Sequence, residues 1–306
     1  GLAPEEAALR TASLLSADRV PDLADAVAAH DPASLEAAVC RAGLRCGEDV
    51  PEALADGVGH QQAAEAAMAH RFAFYGEEHA LPERFDWDAN PGTAHWGHDL
   101  NRFSFLTPLT RACLERGEPA CGRKAVALIL DWIEQCDFAR AFVGTPYVFG
   151  SYLNQAIHCE AWAQCLRRLL PVGVLAPGEL LRILKSLHDQ LAYLEIVTRG
   201  HSGNWPTIGC RGILGTLAAL PVFRDTDRWA AYALTALSAQ VADQVLPDGV
   251  QDELTPHYHW VVVHNLLAAA RCARILGHSL DPATAGRLSS MVHYLRQTVV
   301  PDGSAH

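Results

Sequence analysis

Lysine is almost missing from this chain of 306 residues; only Lys124 and Lys185 occur, so the 24 basic residues are nearly all Arg. Arg is the better bidentate partner for carboxylate or sulfate. Charge is sparse too, at 19%. With half the residues hydrophobic, that excludes intrinsic disorder and provides for a substantial core. Long apolar runs are absent: stretches such as 125–130 and 260–263 are far too short to cross a bilayer, and no membrane association is expected. The sequence opens on an acidic stretch rather than a signal segment, although Gly1 in place of Met leaves room for a signal already removed. Nine Cys are present without a CxxC pair. They read as buried free thiols rather than a disulfide framework, which points to a reducing, cytoplasmic compartment over a periplasmic or secreted one.

Positive charge is also in deficit. The net charge of −11 excludes a general nucleic-acid binder, yet a locally basic cleft on an acidic protein can still take an acidic ligand. No GxSxG, phosphate loop, dinucleotide fingerprint or HExxH occurs, so serine hydrolase and nucleotide chemistry lack their signatures and no cofactor is expected. The pairs His95/His98 and His257/His259 match no metal-ligand spacing, and no metal is expected.

What is present is helix. Ala, Leu, Glu and Arg dominate, and apolar residues recur at three and four. The first ninety or so residues predict short helices near 5–15, 21–29, 32–42 and 60–74, then a loop rich in Pro, Asp and Gly over 81–93. Beyond it the chain repeats with a period of about fifty residues. Helices are expected to start near Asp99, Ser151, Asn204, Glu253 and just past Asp302, with second helices over 119–135, 177–198, 226–245 and 282–299. This divides the chain into a helical lead-in, 1–92, packing on a repeat domain, 93–306. A ring of such hairpins is an α/α toroid; an open α-solenoid is the other arrangement the period allows.

Polar and aromatic groups recur where the first helix of each pair begins. In Pro247-Asp-Gly-Val-Gln-Asp-Glu-Leu-Thr-Pro-His-Tyr-His259, Asp248–Gly249 marks a turn and Pro256 suits a first helical turn. Asp252 or Glu253 would sit at the helix N-terminus, with His257, Tyr258 and His259 close behind. In Arg199-Gly-His-Ser-Gly-Asn-Trp205, Asn204 can cap a helix, Trp205 can stack on a ligand and His201 lies beside them. In the segment 95–105, Trp96, His98 and Arg102 fall at the same end. A lone tyrosine is more often amphipathic core, and an Asn before Trp-Pro is more often just a cap. Paired carboxylates for glycoside hydrolysis, drawn from Glu253, Asp248, Asp252 and Asp99, remain a second reading, and a non-catalytic carbohydrate-binding domain a third.

The fragments WGHDLNRFSFLTPLTRA, ALILDWIEQ, GNWPTIGCRGILGTLAAL and PDGVQDELTPHYHWVVVHNLL, in this order over 94–304, resemble the heparinase II/III type of polysaccharide lyase. The resemblance implies an all-α fold, an incomplete (α/α) toroid, and β-elimination on an acidic polysaccharide or oligosaccharide containing uronic acid. It implies that Tyr258 is the catalytic base or acid and that Asn204 contacts the uronate carboxylate. Many members carry a His just after that Asn, where this chain has Trp205. The family also implies a further catalytic His from a C-terminal β-sandwich, which these 306 residues do not include, so a truncated toroid is expected. Under this reading Trp96, His98, Arg102, His201, Trp205, Arg211, Glu253, His257 and His259 are the candidate substrate-binding residues. Arg199 is a further candidate charge, and Trp260 a further wall for a sugar ring.

Overall fold

The amphipathic 3.6-residue pattern produces two rows of helices in the computed structural model, which describes residues 4–29, 31–43, 60–93, 95–136, 151–176 and 178–298. One row comprises α6 (Leu106–Glu115), α8 (Tyr152–Leu169), α10 (Asn204–Ala219) and α12 (Pro256–Ile275). The other comprises α7 (Pro119–Gln135), α9 (Glu179–Val197), α11 (Thr226–Gln244) and α13 (Pro282–Thr298). Within each row every helix packs on the next, and each hairpin joins one row to the other. The first row is the inner one: α10 is buried almost all round, whereas the second row alternates buried and exposed positions. The result is an arc of hairpins, an incomplete α/α toroid. The helix expected past Asp302 lies outside the described residues.

The lead-in shares the core. Helix α1 (Pro4–Ala12) packs on α9 and on α3 (Pro32–Gly43), while α2 (Leu23–Ala28) lies against α3. Ser16 N donates to Val222 O and Arg224 N to Leu14 O, both at 2.9 Å, which ties the lead-in to the α10–α11 turn. One hydrophobic cluster runs from Ala8 to Met291.

Two expectations need correction. The helix expected over 60–74 stops early: α4 (His60–Met68) ends, and β1 (Arg71–Phe74) pairs antiparallel with β2 (Glu77–Ala80). Tyr75 and Gly76, both at positive φ (54° and 79°), make a two-residue turn of the kind that matches hairpin twist. Alternation then buries Phe72 and leaves Arg71 and Ala73 exposed. The helix expected near Asp99 is also broken, into α5 (Trp96–Leu100) and α6. Between them Phe103 adopts φ 60°, fully buried and stacked on Trp87 at 4.9 Å. Its packing outweighs the cost of a left-handed bulky residue.

Phe103, Trp132 and Trp162 form an aromatic cage around His158, which is completely buried. The ring's Nδ1 lies 2.9 Å from Asn101 O and its Nε2 meets the Gln190 side chain. Burial pushes the imidazole pKa down to about 4, against the smaller upward pull of those two partners. The unfolded chain therefore binds a proton that the folded chain refuses between about pH 6.5 and pH 4. Stability from this group is complete above pH 6.5 and falls by roughly 3 kcal/mol as the pH approaches 4. Urea unfolding of the protein from pH 7 to pH 4 should show this loss, and His158→Gln should flatten that part of the profile.

Candidate active site

The inner helices α8, α10 and α12 run parallel, so their N-termini meet on one rim. Small residues allow the close approach: a Cβ on Gly212 would lie 2.4 Å from Ala156 O, and one on Gly215 2.4 Å from Glu160 Cδ. Helix N-termini carry unsatisfied N–H groups and partial positive charge, so this rim favours an anion on a protein whose net charge is −11.

Two clusters occupy the rim. In the first, Arg102 donates from Nη1 to Asp99 Oδ1 (2.8 Å) and from Nε to Asn154 Oδ1 (3.1 Å). The Asn154 amide also bonds His98 Nδ1 at 2.9 Å. Burial first, then the charges of Arg102 and His95, lower the His98 pKa and favour the neutral ring. Tyr75, at the hairpin tip, packs on His95 with ring centroids 6.3 Å apart.

In the second cluster, Asn204 is the first residue of α10 and donates from Nδ2 to Glu253 Oε1 at 2.9 Å. Trp205 is half exposed and meets Tyr152 of α8 edge-on at 5.6 Å. Thr255, not Glu253, caps α12; its hydroxyl accepts from Tyr258 N at 3.2 Å. Tyr258 stands at the opening turn, 41% exposed, with its ring against His257 at 5.4 Å. His201 and His257 are exposed on the same rim. Trp260, also exposed, stacks on His264 at 5.1 Å.

Three residues read as substrate-facing have other placements. Trp96 is fully buried, its Nε1 donating to Glu77 O at 3.2 Å, with Phe74 and His79 packed around it. Arg211 is buried and donates to Glu160 Oε1 at 2.8 Å, an ion pair joining α10 to α8. His259 is buried: Nδ1 accepts from Gln251 N (3.3 Å) and Nε2 meets Met291 O (3.1 Å). None can reach a polysaccharide without unpacking the core. Asn204 makes no cap hydrogen bond either; Gly203 is the N-cap and the Asn204 side chain turns to Glu253. Asn154 and Gln251, absent from the sequence reading, carry much of the site's hydrogen bonding, and a buried Gln gives no spacing signal that could have found it.

Cavities of about 840 Å³ and 730 Å³ lie elsewhere, between α1, α7 and α9 and between α12 and α13. No group of three or more His, Cys, Asp or Glu among the described residues is placed to hold a metal ion. No helix among them is long and apolar enough to cross a membrane.

Comparison with known proteins gives a family model, the heparinase II/III N-terminus, matching residues 52–305. A heparin-sulfate lyase from Pedobacter heparinus is 31% identical over 223 residues, covering 70% of this chain and 33% of that protein. Another from Bacteroides stercoris is 22% identical over 248 residues, covering 72% of this chain and 36% of that protein. The chain thus spans about a third of the length of the curated relatives it matches. Among solved structures, a heparinase III crystal structure superposes with a TM-score of 0.82 at 17% identity, over 96% of this chain and 48% of that one.

Proposed function

The chain belongs to the heparinase II/III family, and from that premise we propose that it is the toroid of a polysaccharide lyase. The substrate is an acidic polysaccharide or oligosaccharide containing uronic acid, with heparin and heparan sulfate the first to test because the curated relatives are named heparin-sulfate lyases. The observation that carries the reading is the pairing of Asn204 at the start of α10 with the loop that delivers Tyr258 at the start of α12.

The chemistry demands such a pair. The proton at C5 of a uronate is weakly acidic because its removal turns a carboxylate into a dianion. An Asn204 amide proton on that carboxylate, in the field of the helix N-termini, offsets the growing charge. Tyr258 takes the C5 proton, the electron pair forms the C4–C5 double bond, the C4–O bond breaks, and the leaving oxygen is protonated. His201 and His257 are exposed on the rim, and Trp205 and Trp260 offer ring faces to sugars. A histidine from a C-terminal β-sandwich would complete the set. The four carboxylates of the hydrolase reading each have a partner: Glu253 with Asn204, Asp99 with Arg102, Asp252 with Gln251 Nε2, and Asp248 in its own turn through Val250 N.

If Asn204 neutralises the carboxylate, chemistry can replace it. On free-acid oligosaccharides Asn204→Ala should lose about 100- to 1,000-fold in kcat, comparable to removal of one oxyanion donor. On the methyl-esterified substrate, already neutral, the same variant should lose less than about tenfold, since the donor has no charge left to offset. Equal losses on both substrates would remove Asn204 from this role.

A further inference from the structure

Beneath Asn204 runs a row of buried side-chain amides. Gln240, Gln244 and Gln251 are each at most 3% exposed. Thr207 donates from its hydroxyl to Gln240 Oε1 (2.9 Å) and accepts from Gln244 Nε2 (3.0 Å). Gln251 Nε2 then reaches Asp252 Oδ1 at 2.9 Å, Glu253 Oε1 at 3.2 Å and Gln244 Oε1 at 3.5 Å, while its own Oε1 accepts from Glu253 N at 3.0 Å. Glu253 Oε1 is the same atom that accepts from Asn204. The backbone around it is held as well: Asp252 N donates to Gln244 O (2.9 Å), and Leu254 sits at φ 56°, a strained setting for a branched, exposed residue.

We infer that Gln251 is a positioning residue, which clamps Glu253 at both its carboxylate and its amide and so fixes which end of the Asn204 amide faces the substrate. An acceptor held beside Asn204 repels the amide oxygen, so only Nδ2 can turn towards Glu253; its second proton is then left for the uronate carboxylate. Glu253 therefore orients the Asn204 donor rather than binding sugar. The inference rests on the lyase reading for its kinetic consequence but not for its geometry.

The test has two arms. In the first, Gln251→Met, which keeps the length and loses the polar ends, should lower kcat by about 10- to 100-fold with KM within about threefold, the scale of a misplaced group. Glu253→Gln, which keeps the acceptor, should retain most of kcat, whereas Glu253→Leu should match Gln251→Met. In an Asn204→Ala background Gln251→Met should add less than twofold, because the group it positions is already gone. Wild-type kcat in Gln251→Met, or its full effect persisting in the Asn204→Ala background, would overturn the inference. The second arm needs no turnover: the Asn204 side-chain amide protons, assigned by their loss in Asn204→Ala, should move towards free-amide positions in Gln251→Met and in Glu253→Leu. Unmoved protons would overturn it also. If neither the wild-type chain nor the complete gene product eliminates a uronate, the lyase reading fails alone and this arm still decides.

Discussion

Tyr258→Phe should lower kcat on a uronate polysaccharide by about 1,000-fold or more, near the upper range for a lost acid–base group, with KM little changed. The substitution removes one oxygen and keeps the ring. Since Tyr258 is 41% exposed and packs only its ring against His257, unfolding free energy should change by less than about 0.5 kcal/mol. The combination is diagnostic. A binding module would keep its affinity and have no turnover to lose. A hydrolase built on carboxylates would keep its turnover, because the phenol would not be in the reaction. Steady-state kinetics and a thermal melt on the same preparation check both halves.

The second large effect is on stability. Arg211 and Glu160 are both buried, and the Glu160 carboxylate also accepts from Gln164 Nε2 at 3.0 Å. Burial alone pushes the Glu160 pKa up, against the guanidinium that draws it down. Removing one partner leaves the other charge without its counter-ion in a site that cannot be hydrated, because Gly212 and Gly215 bring the two helices into contact there. Arg211→Met and Glu160→Met should therefore each cost about 4 kcal/mol, the range for breaking a buried pair. The double variant should recover most of that loss, since two apolar side chains leave no uncompensated charge. Urea denaturation of the three variants reads it directly. Single substitutions costing under about 1 kcal/mol would mean that the pair is solvated and Arg211 is open to the rim after all.

The helices were more legible in the sequence than the site. The outer-row helices match the expected spans to within about two residues, because an uninterrupted 3.6-residue pattern marks them and Pro119 and Pro282 open two of them. Helical phase explains one misplacement. His257 and His259 are neighbours in sequence but lie about 200° apart around α12, so one faces solvent and the other the α13 backbone. Arg211 misled because Arg is usually a surface residue; only the α8–α10 approach, set by glycines that also read as loop-formers, reveals its partner. The β1–β2 hairpin was hidden by Tyr-Gly in place of the usual Asn-Gly turn. Position along the chain therefore placed Asn204, Glu253 and Tyr258 at one end of the inner helices, where the structure also has them. Which side chains face the substrate depends on tertiary contacts that composition and spacing do not encode.

The central claim is elimination with Tyr258 moving the proton, and ultraviolet absorbance tests it most directly. The chain, and the complete gene product if it is longer, would be incubated with heparan sulfate, hyaluronan, chondroitin, alginate and glucuronan beside Tyr258→Phe. The account predicts a rise on at least one substrate, from the new C4–C5 double bond conjugated to the carboxylate, that the variant abolishes. New reducing ends without any rise in absorbance, or a rise unchanged in Tyr258→Phe, would contradict it.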